Sequence, residues 1–284
     1  MAASGSEEGD PSRPVVLVTG CSDGGIGHAL ARAFAAAGCA VVATARSRGS
    51  MSDLKGDPRF QLVELDVRSE ESARAAVEEA LRKHSRIDVL VNNAGVHLVA
   101  PLAEVPMESL QQVFDTNVYG AMRMIQAVIP HMMERRAGTI VNVGSITAMA
   151  PGPWAGVYSA SKAALHALSD SLRLELRSFG INVMIVAPGG TKSNLGNKSA
   201  AKYDQMHEWK YYKEYEESLR ARTDVSQGPG STPAEELAAK VVASALKKNP
   251  PSFFAYGQFT ALLTALYYTP LWFRDYFYRL VMKC

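Results

Sequence analysis

The stretch PVVLVTGCSDGGIGHALARAFAAAG, residues 14–38, decides the fold. It opens on a short valine-rich run, turns through the glycine-rich TGCSDGGIG at 19–27, and continues into HALARAFAAAG, which reads as a helix. Strand, glycine turn and helix in that order make a phosphate-binding unit. The missing side chains let the backbone approach a pyrophosphate, and the amides and dipole at the helix N-terminus stabilise its charge. A tight turn that holds no ligand has the same composition, so the surrounding chain must discriminate between the two.

Outward from residue 38 the alternation repeats. AVVATA, FQLVELDV, IDVLVNNAG, GTIVNVGS and NVMIVAPG are apolar runs rich in Val and Ile, separated by longer amphipathic segments, and SFFAY near 252–256 reads as a weak edge strand. Strands buried on both faces are the mark of parallel βαβ units, so we expect a doubly wound α/β sheet of six to seven strands with helices on both faces. The stretch 70–84 illustrates the helices. Ser69 is a good N-cap, Glu70 and Glu71 lie at the positive end, and Ala73, Ala76, Val77, Ala80 and Leu81 form one apolar stripe.

Two segments break the rhythm. Residues 194–235 are polar and rich in Tyr, Lys and Glu, with WKYYKEYEESLRAR reading as a charged helix between loops, an insertion suited to covering a substrate. Residues 253–273 carry no charge and are strongly aromatic, a membrane-length run interrupted by Gly257 and Pro270. We therefore divide the chain into a flexible tail at 1–13, a catalytic domain at 14–252 that includes the insertion, and an apolar segment at 253–284.

The chain has 284 residues, 47% hydrophobic, and a formal charge of only +2, which suits one sizeable core and gives no field for nucleic acid. A small molecule or a lipid is the expected substrate. Cys21, Cys39 and Cys284 have neither zinc-site nor disulfide-scaffold spacing, and residues 1–13 lack the apolar stretch of a secretory signal, so a reduced, cytosol-facing protein is expected. No metal is expected, because the six histidines show no ligand spacing; His28, His97 and His166 read as packing or surface residues.

The second strand ends at Ala45, where an acid would bind the ribose hydroxyls of NAD, and Arg46 follows. A cation there can hold a 2′-phosphate, which favours NADP(H). Asp23 would oppose that choice if its carboxylate faced the phosphate. Tyr158 and Lys162, four apart in YSASKAALHALSDSLRLEL, share a helix face, and an ammonium beside a phenol lowers the phenol's pKa.

TGCSDGGIG, NNAG at 92–95, Asn117, Ser145, YSASK and the Pro188–Gly189 pair stand together in an order and spacing that resemble the short-chain dehydrogenase/reductase family. The glycine loop departs from the family pattern by one extra residue between Gly20 and Gly25. The resemblance implies a Rossmann-type fold and interconversion of an alcohol and a carbonyl. It implies Tyr158 as the general acid for reduction, Lys162 tuning it and holding the nicotinamide ribose, Ser145 polarising the carbonyl, and Asn117 supporting a bend and a water that links Lys162 to solvent. For the cofactor it implies contacts from Gly20, Ser22, Gly25, Ile26, Gly27, Arg46, Asp66, Val67, Asn92, Ala94, Gly95, Tyr158, Lys162, Pro188, Gly189, Thr191 and Ser193. Asn92 also reads as a residue that secures the central strand.

Within that family the GGIG loop, the basic residue after the second strand and the apolar tail are most similar to the reductases of 1-acyldihydroxyacetone phosphate. This finer resemblance implies a lipid substrate reduced with NADPH at an endoplasmic reticulum or lipid droplet surface. Tyr, Trp and Phe of the tail would sit at the membrane interface, with Arg274, Arg279 and Lys283 near anionic headgroups. A tail folded over the cleft as a lid, a retinoid or steroid substrate, and a non-catalytic NADPH-binding scaffold on a lipid surface are the alternatives. A homodimer through the helices around Asn117 and Tyr158 is the family's usual assembly.

Overall fold

The structure is a computed structural model that describes residues 13–205 and 208–282. Residues 1–12 of the expected tail, together with Lys283 and Cys284, lie outside the described residues. Arg13 is tied down: its Nε donates to the Gly38 carbonyl at 3.0 Å, and its own carbonyl accepts from Arg86 Nη2 at 2.9 Å.

Seven parallel strands form the sheet. In chain order they are β1 Val15–Thr19, β2 Ala40–Ala45, β3 Phe60–Glu64, β4 Val89–Asn92, β5 Gly138–Val143, β6 Ile181–Pro188 and β7 Phe253–Tyr256. They lie side by side as β3-β2-β1-β4-β5-β6-β7. The first four residues of the apolar 253–284 segment are therefore the edge strand of the sheet rather than part of an appendage. Strand alternation splits the core into two layers. Val16, Val18, Val41 and Val141 pack under α1 (Ile26–Ala36) and α8 (Ala234–Ala245), whereas Leu17, Val42, Leu90 and Ile140 pack under α2 (Glu70–His84) and α4 (Gly120–Arg135). As expected, the Ser69 hydroxyl caps α2, accepting from Ser72 N at 3.1 Å, and Ala73, Ala76, Val77 and Ala80 are buried.

The helix α3 (Met107–Phe114) runs into α4 through a π-helical turn, Asp115–Tyr119, that holds Asn117. Such turns insert one residue and aim it off the helical repeat. From there α5 (Gly156–Glu175) carries Tyr158 and Lys162 back beside the sheet.

The insertion differs from its sequence reading. Residues expected as a loop form α6 (Asn194–Tyr203), and the charged stretch is helical only over α7 (Glu216–Asp224) and a single turn before it. Burial of aromatics overrides the helical pattern of WKYYKEY. Trp154 takes Tyr212 and Tyr215 against its ring at 5.7 and 5.4 Å, and Trp209 Nε1 donates to the Tyr203 hydroxyl at 3.2 Å. Glu104 accepts from the amides of Lys210 and Tyr211 at 2.6 and 2.7 Å, which ties this loop to the segment before α3.

After β7, Gly257 turns the chain at φ 113°, and two short helices follow, α9 (Thr260–Tyr267) and α10 (Leu271–Met282), separated at Pro270. Among the described residues no helix is long and apolar enough to cross a membrane.

Candidate active site

Where the strand order reverses between β1 and β4, at the carboxyl ends of the strands, a cavity of about 550 Å³ opens. Its floor is the glycine turn. Gly20 adopts φ 75°, and a side chain there would meet Ala94 Cα at 2.9 Å. Gly25 begins α1 with no side-chain cap, so the first amides of the helix are left for an anion. The extra residue of the loop is taken up in a turn in which Gly25 N donates to Ser22 O at 3.1 Å and Gly24 sits at φ 68°. Gly20, Ser22, Gly25 and Ile26 line the cavity. Gly27 does not: a Cβ there would lie 2.4 Å from Gly20 O, so its role is to let α1 pack against the turn.

Arg46 lines the cavity just beyond β2, followed by Asp66 and Val67 beyond β3. Asp66 is gripped by Arg68 at 2.7 Å, and this hydrogen-bonded pairing holds its carboxyl below the usual range. Asp23 turns away from the cavity, contacting His28 Nδ1 at 3.3 Å and accepting from the Ser52 hydroxyl at 3.3 Å, while His28 Nε2 reaches Asp53 at 2.9 Å. The acid that could have opposed a 2′-phosphate thus braces the loop from behind.

Of the two asparagines at the end of β4, the first, the strand's last residue, is structural. Asn92 Nδ2 donates to Asn142 Oδ1 at 2.9 Å, and Asn142 Nδ2 donates to Ser169 Oγ at 2.8 Å, a buried amide ladder that stitches β4, β5 and α5 together outside the cavity. The sequence reading missed its neighbour Asn93, which donates to the carbonyls of Thr19 and Gly20 at 2.8 and 3.2 Å and lines the cavity. The signal was present, because successive residues of an extended chain face opposite ways. Ala94 and Gly95 complete this wall, and Pro188 at the end of β6 with Gly189, Thr191 and Ser193 after it form the opposite one.

Ser145, Tyr158 and Lys162 all line the same cavity. Ser145 follows β5 and caps a short turn, its Oγ 2.9 Å from Thr147 Oγ1. Lys162, only 4% exposed, donates from Nζ to the Val143 carbonyl at 2.8 Å, and burial pulls its pKa down to about 8. The Tyr158 phenol is not held below its ordinary pKa as the spacing suggested. Burial raises it, against opposing pulls from a Ser145 hydrogen bond and the charge of Arg222, while Lys162 Nζ lies 5.8 Å from the ring centroid, engaged by Val143. Asn117 stands outside the lining. Its Oδ1 accepts from Val96 N at 2.8 Å, and its Nδ2 donates to Val96 O at 2.9 Å and to Ser161 Oγ at 3.0 Å, locking the NNAG loop onto α5.

Of the histidines read as packing or surface residues, His97 lines the cavity, while His166 packs behind Ser145. The His97 ring lies 4.5 Å from the Tyr158 ring, with Nδ1 2.8 Å from Ser199 Oγ, and burial pushes its pKa down to about 3. His166 Nε2 accepts from Ser145 N at 3.4 Å, and burial pushes its pKa to about 4. Both are neutral in the physiological range, so neither competes with Tyr158 as an acid. The remaining wall comes from α9 and α10: Phe259, Leu262, Leu263, Phe277, Val281 and Met282 face inward, and Tyr278 donates to Ala150 O at 2.8 Å.

A glycine cradle that a Cβ would fill, uncapped helix amides, and a phenol, hydroxyl and ammonium at one mouth fit a nicotinamide dinucleotide and define an oxidoreductase that uses it. The chain belongs to the short-chain dehydrogenase family, whose model matches residues 14–204. It is 38% identical to a short-chain dehydrogenase of Penicillium crustosum over 84% of this chain and 86% of that protein. It is 42% identical to the NADPH-dependent 1-acyldihydroxyacetone phosphate reductase of Schizosaccharomyces pombe over 64% of this chain and 62% of that one. Among solved structures, a short-chain dehydrogenase from Streptomyces avermitilis superposes with a TM-score of 0.78 at 32% identity, covering 89% of this chain and 91% of its own.

Proposed function

We propose that the protein reduces 1-acyldihydroxyacetone phosphate to 1-acylglycerol 3-phosphate with NADPH. The observation that carries this reading is a single cavity that joins Arg46, the Ser145–Tyr158–Lys162 set and an apolar wall from α9 and α10. A nicotinamide cofactor supplies the hydride when bound. Ser145 donates a hydrogen bond to the ketone oxygen, Tyr158 gives it a proton, and Lys162 holds positive charge beside the developing oxyanion. The name of the S. pombe relative supports both the cofactor and the substrate. Arg46, with no acid at Ala45, supports NADPH over NADH. NADPH oxidation against a panel of ketones tests the substrate: acylated dihydroxyacetone phosphate turns over fastest, and equal or faster reduction of retinoid or steroid ketones overturns it. Arg46→Ala raises the KM for NADPH about tenfold or more and leaves that for NADH nearly unmoved, following the loss of one charge-assisted contact.

The same reading places the protein at a cytosol-facing endoplasmic reticulum or lipid droplet surface. The outer sides of α9 and α10 expose Tyr268 at 77% and Trp272 at 69%, with Arg274 and Arg279 alongside, a composition suited to an anionic lipid interface. Exposed Leu168 and Leu174 on α5 suit pairing with a second copy. In flotation assays the protein rises with phosphatidylserine vesicles and the Tyr268→Ser/Trp272→Ser double variant stays behind; equal flotation of both removes the anchor.

A further inference from the structure

The insertion contributes a cation to the cavity that the reductase chemistry above does not use. Arg222, near the end of α7, lines the wall beside Tyr158 and Tyr278, close enough for its charge to lower the pKa of both phenols. Its surroundings contrast with those of Arg220 two residues earlier, which holds Asp204 at 2.8 Å and Glu216 at 3.2 Å. Among the described residues no ion pair includes Arg222, and burial pulls its own pKa below the usual arginine value. A guanidinium partly withdrawn from water into the cavity wall without a carboxylate is a standing cost unless a ligand supplies the anion.

The rest of the wall agrees. Lys198 on α6 is a further cation that the insertion adds to the lining, and no ion pair among the described residues involves it. Asp66 is the one carboxylate residue in the lining among the described residues, and Arg68 already occupies it at 2.7 Å. His97, between Tyr158 and Ser199, is neutral and adds a polar edge without charge. The inward faces of α9 and α10 are apolar. The substrate space thus joins a basic wall beside the proton donor to the apolar side chains of α9 and α10.

We infer that Arg222 is the specificity-determining residue of this enzyme: it binds a phosphate monoester on a substrate whose ketone lies at Tyr158 and whose acyl chain lies along α9 and α10. The inference rests on the ketone-reductase reading and narrows its substrate class to anionic amphiphiles. A guanidinium matches a phosphate with two parallel hydrogen bonds, which a neutral ketone leaves unmade. Neutral retinoids and steroids would leave the recessed charge uncompensated.

The test compares kcat/KM for 1-acyldihydroxyacetone phosphate and for 1-acyldihydroxyacetone with the same acyl chain, in the wild type, Arg222→Gln and Arg222→Lys. The wild type prefers the phosphorylated ketone. In Arg222→Gln the ratio of the two efficiencies falls roughly tenfold to a hundredfold, and Arg222→Lys, which keeps the charge but not the paired donors, falls part of the way. Dodecyl phosphate competes with the ketone in the wild type far better than dodecanol does, a measurement that needs no variant and stands even if Arg222→Gln does not fold. An unmoved ratio, an equal loss on both ketones in a variant that still binds NADPH, or equal inhibition by the two dodecyl compounds overturns the inference. If the wild type reduces neither ketone, the reductase reading itself fails; if it reduces both equally well, only the assignment of Arg222 does.

Discussion

Tyr158→Phe lowers ketone reduction by a factor on the order of 10³, within the range expected for loss of a positioned general acid. The substitution removes one oxygen and keeps the ring, so the edge contact with His97 at 4.5 Å and the packing of α5 survive. Binding of NADPH, followed by fluorescence titration, therefore changes little. Neither neighbour stands in the phenol's place: His97 is neutral with its pKa near 3, and Lys162 Nζ is held at the Val143 carbonyl at 2.8 Å, 5.8 Å from the Tyr158 ring centroid. The phenol's raised pKa, set first by burial, keeps it protonated and ready to donate at neutral pH. A variant that retains a tenth or more of wild-type turnover would assign the acid elsewhere.

Lys162→Met inactivates the enzyme and stabilises the fold. Turnover drops by roughly 10²-fold or more, because a fixed positive charge beside the reacting oxygen is lost. Stability moves the other way for a reason that can be signed. Lys162 has its pKa lowered from 10.5 to about 8 by burial, so at neutral pH the native state carries an ammonium that the unfolded chain would hold more comfortably in water. That costs on the order of 3 kcal/mol near neutral pH. Between about 8 and 10.5 the unfolded chain binds more protons than the native one, so wild-type stability rises with pH across that window relative to the variant. Urea denaturation near neutral pH accordingly finds Lys162→Met more stable, with the gap narrowing above pH 8 or so as Lys162 deprotonates. A less stable variant, or a gap that does not depend on pH, contradicts the buried-ammonium account. The opposite signs of activity and stability are those expected of a residue retained for catalysis.

The five inner strands were legible because a parallel strand buried on both faces must be apolar throughout, and a run such as Val15–Thr19 has no other comfortable use; the edge strands β3 and β7 are only partly buried and carry a weaker signal. The cap at Ser69 and the stripe on α2 were equally local. The errors share one cause. Helix α7 is shorter than its charge pattern implied because Trp209, Tyr212 and Tyr215 are spent on Trp154 and its neighbours. The apolar tail divides where its sequence is interrupted, at Gly257 and Pro270, into the expected edge strand and two helices; that their inner faces close the cavity is decided by packing.

Local pattern alone therefore determined the α/β sheet, the glycine turn and the Tyr158–Lys162 pair, since each depends on residues a few positions apart whose geometry is set by backbone periodicity. Tertiary packing alone decided which asparagine faces the cavity, that Asp23 turns to His28, that His97 and His166 are neutral, and that Arg222 lies beside Tyr158. These depend on burial and on contacts between residues as far apart as Asp23 and Asn194, or Ala150 and Tyr278. Burial and electrostatic environment are properties of the space a side chain enters, and no short window of sequence encodes that space.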